Sequence, residues 1–262
     1  MNKILLQLRY TFGTFFALVI QLIQAPFSRE ARYKLSETYD VLHYPFPSTK
    51  RVSLNQLLYH EDLRLEMASV KANPHNVTEF ELLAICSLIK DRNASMIFEI
   101  GTYDGRTTRA MAMNIGNSGH IFTLNLPPDM DFVKTGTVNV DEQLAHKVVS
   151  GERFINTTQQ SLITQLFGNS ATFDFLPYHQ KMDVIFIDGA HSEEYVENDT
   201  IQAMKLLKSD GGMIIWHDAH LFGVANYLRK LVFIKKVDLC FIKGTSIAIT
   251  EVRNGQFTVI LT

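Results

Sequence analysis

Asp188 and Asp218 each close an apolar run, residues 183–187 and 212–216. A charge at the end of a buried strand is costly unless it faces a site or a partner. His191 follows three residues after Asp188, where a helix is predicted to begin. A neutral imidazole there could take a proton from a hydroxyl. A helix N-terminus lowers its pKa and so favours the neutral base. The same residues also suit a structural reading, in which Asp188 merely orients His191 and the histidine bonds the neighbouring loop. Of His217 and His220, which flank Asp218, one is read as facing the cleft and the other as a loop residue, and Trp216 as strand content.

A second constellation spans residues 97–105, Ile-Phe-Glu-Ile-Gly-Thr-Tyr-Asp-Gly. Ile97, Phe98 and Ile100 suit a short buried strand. Gly101 and Gly105 follow, and a helix is predicted over 106–115. Glycines let a backbone approach a ligand closely, and a helix N-terminus offers free N–H groups to it. The spacing is Glu-x-Gly-x-x-x-Gly, which is not the Gly-x-Gly-x-x-Gly of dinucleotide folds. A plain strand–helix turn is the alternative reading of these residues alone.

The elements that position these residues alternate. Thr78-Glu79-Phe80-Glu81 is a capping box before a helix ending near Lys90. Strands are predicted over 97–100, 120–124, 153–156, 183–187 and 212–216. Helices are predicted over 106–115, 161–167 (a short crossover), 192–208 and 223–236. Two last strands, 237–242 and 246–252, are joined by a tight turn and must be antiparallel. Such alternation predicts an α/β fold with a parallel sheet covered on both faces. Glu99, Gly101, Asn125, Asp188 and Asp218 then all fall at the carboxyl ends of strands, where open α/β sheets bind ligands.

The 262 residues suit one such domain plus an extension. Lys+Arg 25 against Asp+Glu 27 gives a formal charge of -2, no footprint for nucleic acid. Cys86 and Cys240 read as small buried hydrophobes, in keeping with a reducing, cytoplasmic setting. No charged residue occurs from Tyr10 to Ser28, and Lys3, Arg9, Arg29, Arg32 and Lys34 flank that segment. It is open to three readings: a membrane-associated helix through residues 4–26, lying in the interface or spanning; a helix buried in a homodimer or against the domain; or a targeting peptide. The organisation expected is a hydrophobic helix over 1–30, an irregular cap over 31–77 and the main domain over 78–262. The long segment 126–152, with a helix within 141–149, is read as a lid that shapes a pocket with residues 40–75.

Four ordered stretches carry a family resemblance: Glu99-Ile100-Gly101-Thr102, then Phe186-Ile187-Asp188-Gly189-Ala190-His191, then Gly211 to Asp218, then Gly244-Thr245-Ser246-Ile247-Ala248. Together they resemble the class I S-adenosylmethionine-dependent methyltransferases, in particular the type 24 group acting on small molecules. The resemblance covers about residues 78–252. It implies a Rossmann-like, mostly parallel seven-stranded sheet with an antiparallel C-terminal hairpin and helices on both faces. It also implies that Glu99, Gly101, Thr102 and Gly105 serve S-adenosylmethionine, with Asn125 in the place of the usual ribose-binding acid. Gln160 and Ser161 would stand where relatives carry Asp-Ser near the adenine. Asp188 would serve the cofactor and, with His191, catalysis. Related O-methyltransferases hold a divalent metal at the same strand ends, which points to Asp188, His217 and Asp218 as ligands. Oxygen ligands suit Mg²⁺, whereas imidazole suits Zn²⁺, Mn²⁺ or Fe²⁺. The activity implied is methyl transfer to a hydroxyl of a small molecule or glycan. Two rival readings stand beside it: a non-catalytic cofactor-binding or membrane-held scaffold, favoured by Asn125 and Gln160, and a metal-dependent hydroxylase-like enzyme on the same fold.

Overall fold

The computed structural model describes residues 50–127 and 149–258, apart from Ser69, Pro74 and Asn117, together with Val19. The chain divides into two units, Met1–Pro47 and Ser48–Thr262, and the described fold is that of the second. The N-terminal helix expected over 1–30, the first part of the expected cap, and nearly all of the lid lie outside the described residues. Among the described residues no helix is long and apolar enough to cross a membrane.

Among the described residues nine strands form one sheet: β1 (Lys50–Val52), β2 (Met96–Ile100), β3 (His120–Asn125), β4 (Ile163–Phe167), β5 (Val184–Ile187), β6 (Gly211–Trp216), β7 (Cys240–Ile242), β8 (Ala248–Arg253) and β9 (Gln256–Thr258). Within the described part of the second unit the α-helices are α1 (Glu79–Asp91), α2 (Arg106–Asn114), α3 (Glu193–Leu206) and α4 (Phe222–Phe233). The order is β1-β7-β8-β6-β5-β2-β3-β4, with β9 beside β8. Among the pairings between these strands, those of β8 with β6, β7 and β9 are antiparallel and the others parallel. The expected seven strands correspond to β2–β8. The sheet has nine because β1 adds to β7 in parallel and β9 turns back along β8.

Alternation along the strands divides the core. Ile97, Ile121, Val184, Phe186, Met213 and Ile215 share one apolar cluster with Leu82, Ile85 and Leu88 of α1 and Met111 of α2. The intervening positions face the other way, where Trp216 donates its indole N–H to Thr200 of α3 at 2.9 Å. Helix α1 starts where its capping box lies: Glu81 N donates to Thr78 Oγ1 at 3.2 Å, and Thr78 N donates to Glu81 Oε2 at 2.8 Å. Cys86 and Cys240 are buried free thiols, and burial pushes each pKa up to about 12.

The third parallel strand corrects the sequence reading. It is Ile163–Phe167, not 153–156, and the crossover helix expected over 161–167 does not form. Residues 153–156 lie in turns: Asn156 sits at φ 60°, which no strand accommodates, and Arg153 Nε is drawn to Asp104 Oδ2 at 2.7 Å. A 3₁₀ turn, Thr158–Leu162, leads into β4 instead.

Candidate active site

Strand order reverses around β2, whose chain successor β3 lies on one side and β5 on the other. Beyond the carboxyl ends of these strands opens a cavity of about 880 Å³. Gly101, Asn125, Gly168, Ser170, Asp188, His191, His217 and Asp218 line it, joined by Leu221 and Phe222 at the start of α4. Its size is that of a site for a small molecule.

Two glycines set the shape of its wall. Gly101 has φ +102°, and a Cβ there would lie 2.0 Å from the Asp188 carbonyl oxygen. A Cβ on Gly223 would lie 2.1 Å from the His191 carbonyl oxygen. The 188–191 turn is therefore gripped from both sides by residues that have no side chain to spare. Gly105, at φ +81°, is needed against Phe154, whose Cδ1 would be 2.6 Å from a Cβ. It opens α2 and is not among the residues lining the cavity.

Glu99 and Thr102 lie beneath the wall, not on it. Glu99 is 1% exposed, and its Oε2 accepts from Thr108 Oγ1 at 2.5 Å and Thr123 Oγ1 at 2.6 Å. Burial raises its pKa to about 8, against the pull of the two threonines, with Asp188 and Asp104 pushing the same way as burial. Thr102 Oγ1 pairs with Thr123 Oγ1 at 2.7 Å, and its N–H donates to Asn125 Oδ1 at 3.3 Å. Asn125 does line the cavity. Gln160 and Ser161 do not: with β4 correctly placed, they precede the strand and stand at its opposite end. Gly168 and Ser170, just past the carboxyl end of β4, occupy the corresponding wall.

Beyond the ends of β5 and β6 the charged residues converge. His217 Nδ1 is 2.9 Å from Asp188 Oδ1 and 3.5 Å from Asp218 Oδ2. His191 Nε2 is 3.1 Å from Asp218 Oδ2. On the far side of the His217 ring, Nε2 lies 3.3 Å from Glu81 Oε2. Burial disfavours a charged His217, but Asp188, Asp218 and Glu81 outweigh it and raise its pKa well above the usual value. Burial likewise works against ionised Asp218 and Glu81. The histidines facing Asp218, and His217 with Ser246 beside Glu81, hold both below the usual carboxylate range. Asp218 adopts φ 51°, a left-handed conformation that turns its carboxylate back to both histidines.

Asp188, His217 and Asp218 offer three ligand atoms within 4.8 Å of one another. One imidazole with two carboxylates fits a first-row ion such as Zn²⁺, Mn²⁺ or Fe²⁺ better than Mg²⁺. A carboxylate against the outer nitrogen of a ligating histidine is a usual supporting contact.

Two buried acids escaped sequence reasoning. Asp104 accepts from Asn73 Nδ2, Asn76 Nδ2 and the Arg106 N–H, each at 3.0 Å, and binds segment 73–76 to the glycine turn. The neighbouring Arg106, 1% exposed, donates to the carbonyls of Val70 and Val77. Glu81 was legible as a cap but not as a neighbour of His217.

The fold is the Rossmann-like α/β fold that the resemblance implied, with a mostly parallel sheet and antiparallel strands toward the C-terminus. Residues 98–219 match the type 24 methyltransferase family model, described as "Methyltransferase domain". No curated protein matches the chain. Among solved structures, the O-methyltransferase from Bacillus cereus in complex with SAH is similar at a TM-score of 0.50 and 19% identity, over 69% of this chain and 84% of that one. The O-methyltransferase TomG from Streptomyces achromogenes, involved in tomaymycin synthesis and in complex with SAM, gives a TM-score of 0.48 and 19% identity over 69% of this chain and 82% of that one. The SAH-bound Podospora anserina methyltransferase PaMTH1 gives 0.46 and 16% over 66% and 78%.

Proposed function

We propose that this protein methylates a hydroxyl group on a small molecule or glycan. The observation that carries the reading is the meeting of His191, Asp188 and Asp218 at the cavity walled by Gly101 and Asn125. S-adenosylmethionine bound in that cavity supplies an already activated methyl group. The residues must therefore align the acceptor and remove a proton. Gly101 lets the β2 turn sit close, and Asn125 presents an amide that can still accept one ribose hydrogen bond. Asp218 holds one nitrogen of His191 and steadies the ring as it takes the acceptor's proton. Leu221 and Phe222 provide an apolar wall for the acceptor. The solved O-methyltransferase of the same fold from Bacillus cereus supports an oxygen acceptor.

A divalent ion on Asp188, His217 and Asp218 is a second element of the proposal, favoured by the tight approach of their ligand atoms. It would polarise the acceptor hydroxyl as a Lewis acid.

The test is calorimetry with S-adenosylmethionine and S-adenosylhomocysteine, with and without added Mg²⁺, Mn²⁺ or Zn²⁺. Mass spectrometry then follows methyl transfer to a panel of phenols, catechols and sugars. Saturable cofactor binding with transfer to oxygen is expected. Binding without transfer to any acceptor would favour the scaffold reading. A purified protein carrying bound iron with redox activity would favour the hydroxylase reading.

A further inference from the structure

We infer that Glu81 of α1 is a positioning residue that fixes the ring of His217, so that Nδ1 is the atom turned toward Asp188 and Asp218. The inference rests on reading that cluster as the acceptor end of the site.

The third residue of a capping box normally sits at the surface of a helix end. Glu81 is only 4% exposed, and donors reach it from two different elements. Its Oε1 accepts from both the N–H and the hydroxyl of Ser246, each at 2.6 Å, in the turn between β7 and β8. Its Oε2 accepts from the Thr78 N–H at 2.8 Å and the Thr78 hydroxyl at 2.9 Å, and faces His217 Nε2 at 3.3 Å. A carboxylate only accepts. Nε2 must therefore carry a proton to face it favourably, and a ring protonated there is held in one tautomer and one orientation. Nδ1 is then left toward Asp188 Oδ1, at 2.9 Å, and Asp218 Oδ2, at 3.5 Å. As a lone pair that nitrogen suits a metal. Carrying a proton, it holds the two acids together. Glu81 selects the geometry in either state, from outside the cavity.

Glu81→Gln isolates this role, because Gln also serves a capping box. Its single oxygen cannot face both Ser246 and the Thr78–His217 side, so an N–H₂ is turned toward one of them. With the amide toward His217, the ring would have to present a lone pair at Nε2. The readout is ¹⁵N NMR of the histidine side chains in the full chain, with His217 assigned by its absence in His217→Gln. In the unmutated protein His217 should show a proton on Nε2, and Glu81→Gln should lose or strongly shift that signal. Thr78→Ala is the control: it removes the cap but leaves the carboxylate, and should lower the melting temperature with the His217 signal unchanged. Methyl transfer to catechol, where it occurs, should fall about 10–100-fold in Glu81→Gln, as for loss of a supporting partner, with S-adenosylhomocysteine affinity kept within about twofold. An Nε2 signal lost equally in Thr78→Ala, or kept identical in both Glu81→Gln and Glu81→Ala, where no acceptor is left to face Nε2, would overturn the inference. A signal present in the unmutated protein and lost in Glu81→Gln supports it even if catechol is not methylated, which would count against the acceptor reading alone.

Discussion

Replacing Glu99 by Gln should make the stability of this protein less sensitive to pH. Glu99 is sealed between β2, β3 and α2, accepts two threonine hydrogen bonds through Oε2, and among the described residues has no partner for Oε1. Its pKa is raised from 4.5 to about 8, first of all by burial. Below the unfolded value both states hold the proton, and the stability it confers is fully present. As pH rises through the window between those values, the unfolded chain ionises while the folded one does not, and stability falls. Above the folded value nothing further is lost. Each unit of that window is worth about 1.4 kcal/mol, so the ceiling is about 5 kcal/mol. The substituted glutamine would have the same shape, an oxygen for the threonines and no charge to bury. Urea unfolding between about pH 5 and about pH 8.5, the window set by that shift, measures the difference. Trp216, the only tryptophan and fully buried, reports it by fluorescence. Asp199, raised to about 6 by burial, and His217 also titrate, but in both proteins, so they cancel in the comparison. The variant should gain on the unmutated chain steadily as pH rises. A difference that stays constant over this range would refute the argument.

Gly101→Ala should destabilise the fold by more than the roughly 1–3 kcal/mol of a strained backbone alone, because its Cβ also strikes the Asp188 carbonyl. Gly116→Ala, with nothing within 4 Å, should leave the melting temperature nearly unchanged, and equal effects would discount the contact. Asn125→Asp should tighten S-adenosylmethionine binding by about 1 kcal/mol, as a neutral hydrogen bond becomes charge-assisted; calorimetry showing no gain would turn Asn125 away from the ribose. His191→Ala should lower turnover about 10²–10⁴-fold while leaving cofactor affinity intact, and an unchanged rate would remove it as the base.

Much of the fold can be read from local chemistry. The capping box marks the start of α1, the apolar runs mark β5 and β6, and Asp188 and Asp218 sit at strand ends that do converge. What escapes depends on distant partners. Arg153–Asn156 and Ile163–Phe167 both look like short strands, and the choice is made by Asp104 pulling on Arg153 and by the left-handed Asn156. Placing the third strand too early in the chain misassigns Gln160 and Ser161 to the wrong end of it. The glycine of the β2 turn is legible, but not its reason: what it avoids is the Asp188 carbonyl, not only a ligand. Lys50-Arg51-Val52 carries no local strand signal, and only its pairing with β7 makes it one.

That short pairing has a practical consequence for anyone wishing to trim the chain. A fragment beginning at Thr78 would keep the span matching the methyltransferase family yet leave the outer edge of β7 bare. It would also remove Leu57 from the core, the Asn73 and Asn76 donors from Asp104, and the Val70 and Val77 carbonyls that accept from buried Arg106. An open strand edge beside newly exposed apolar surface invites self-association. Such a fragment should come out of expression as aggregate, whereas one beginning at Ser48 retains every one of these contacts.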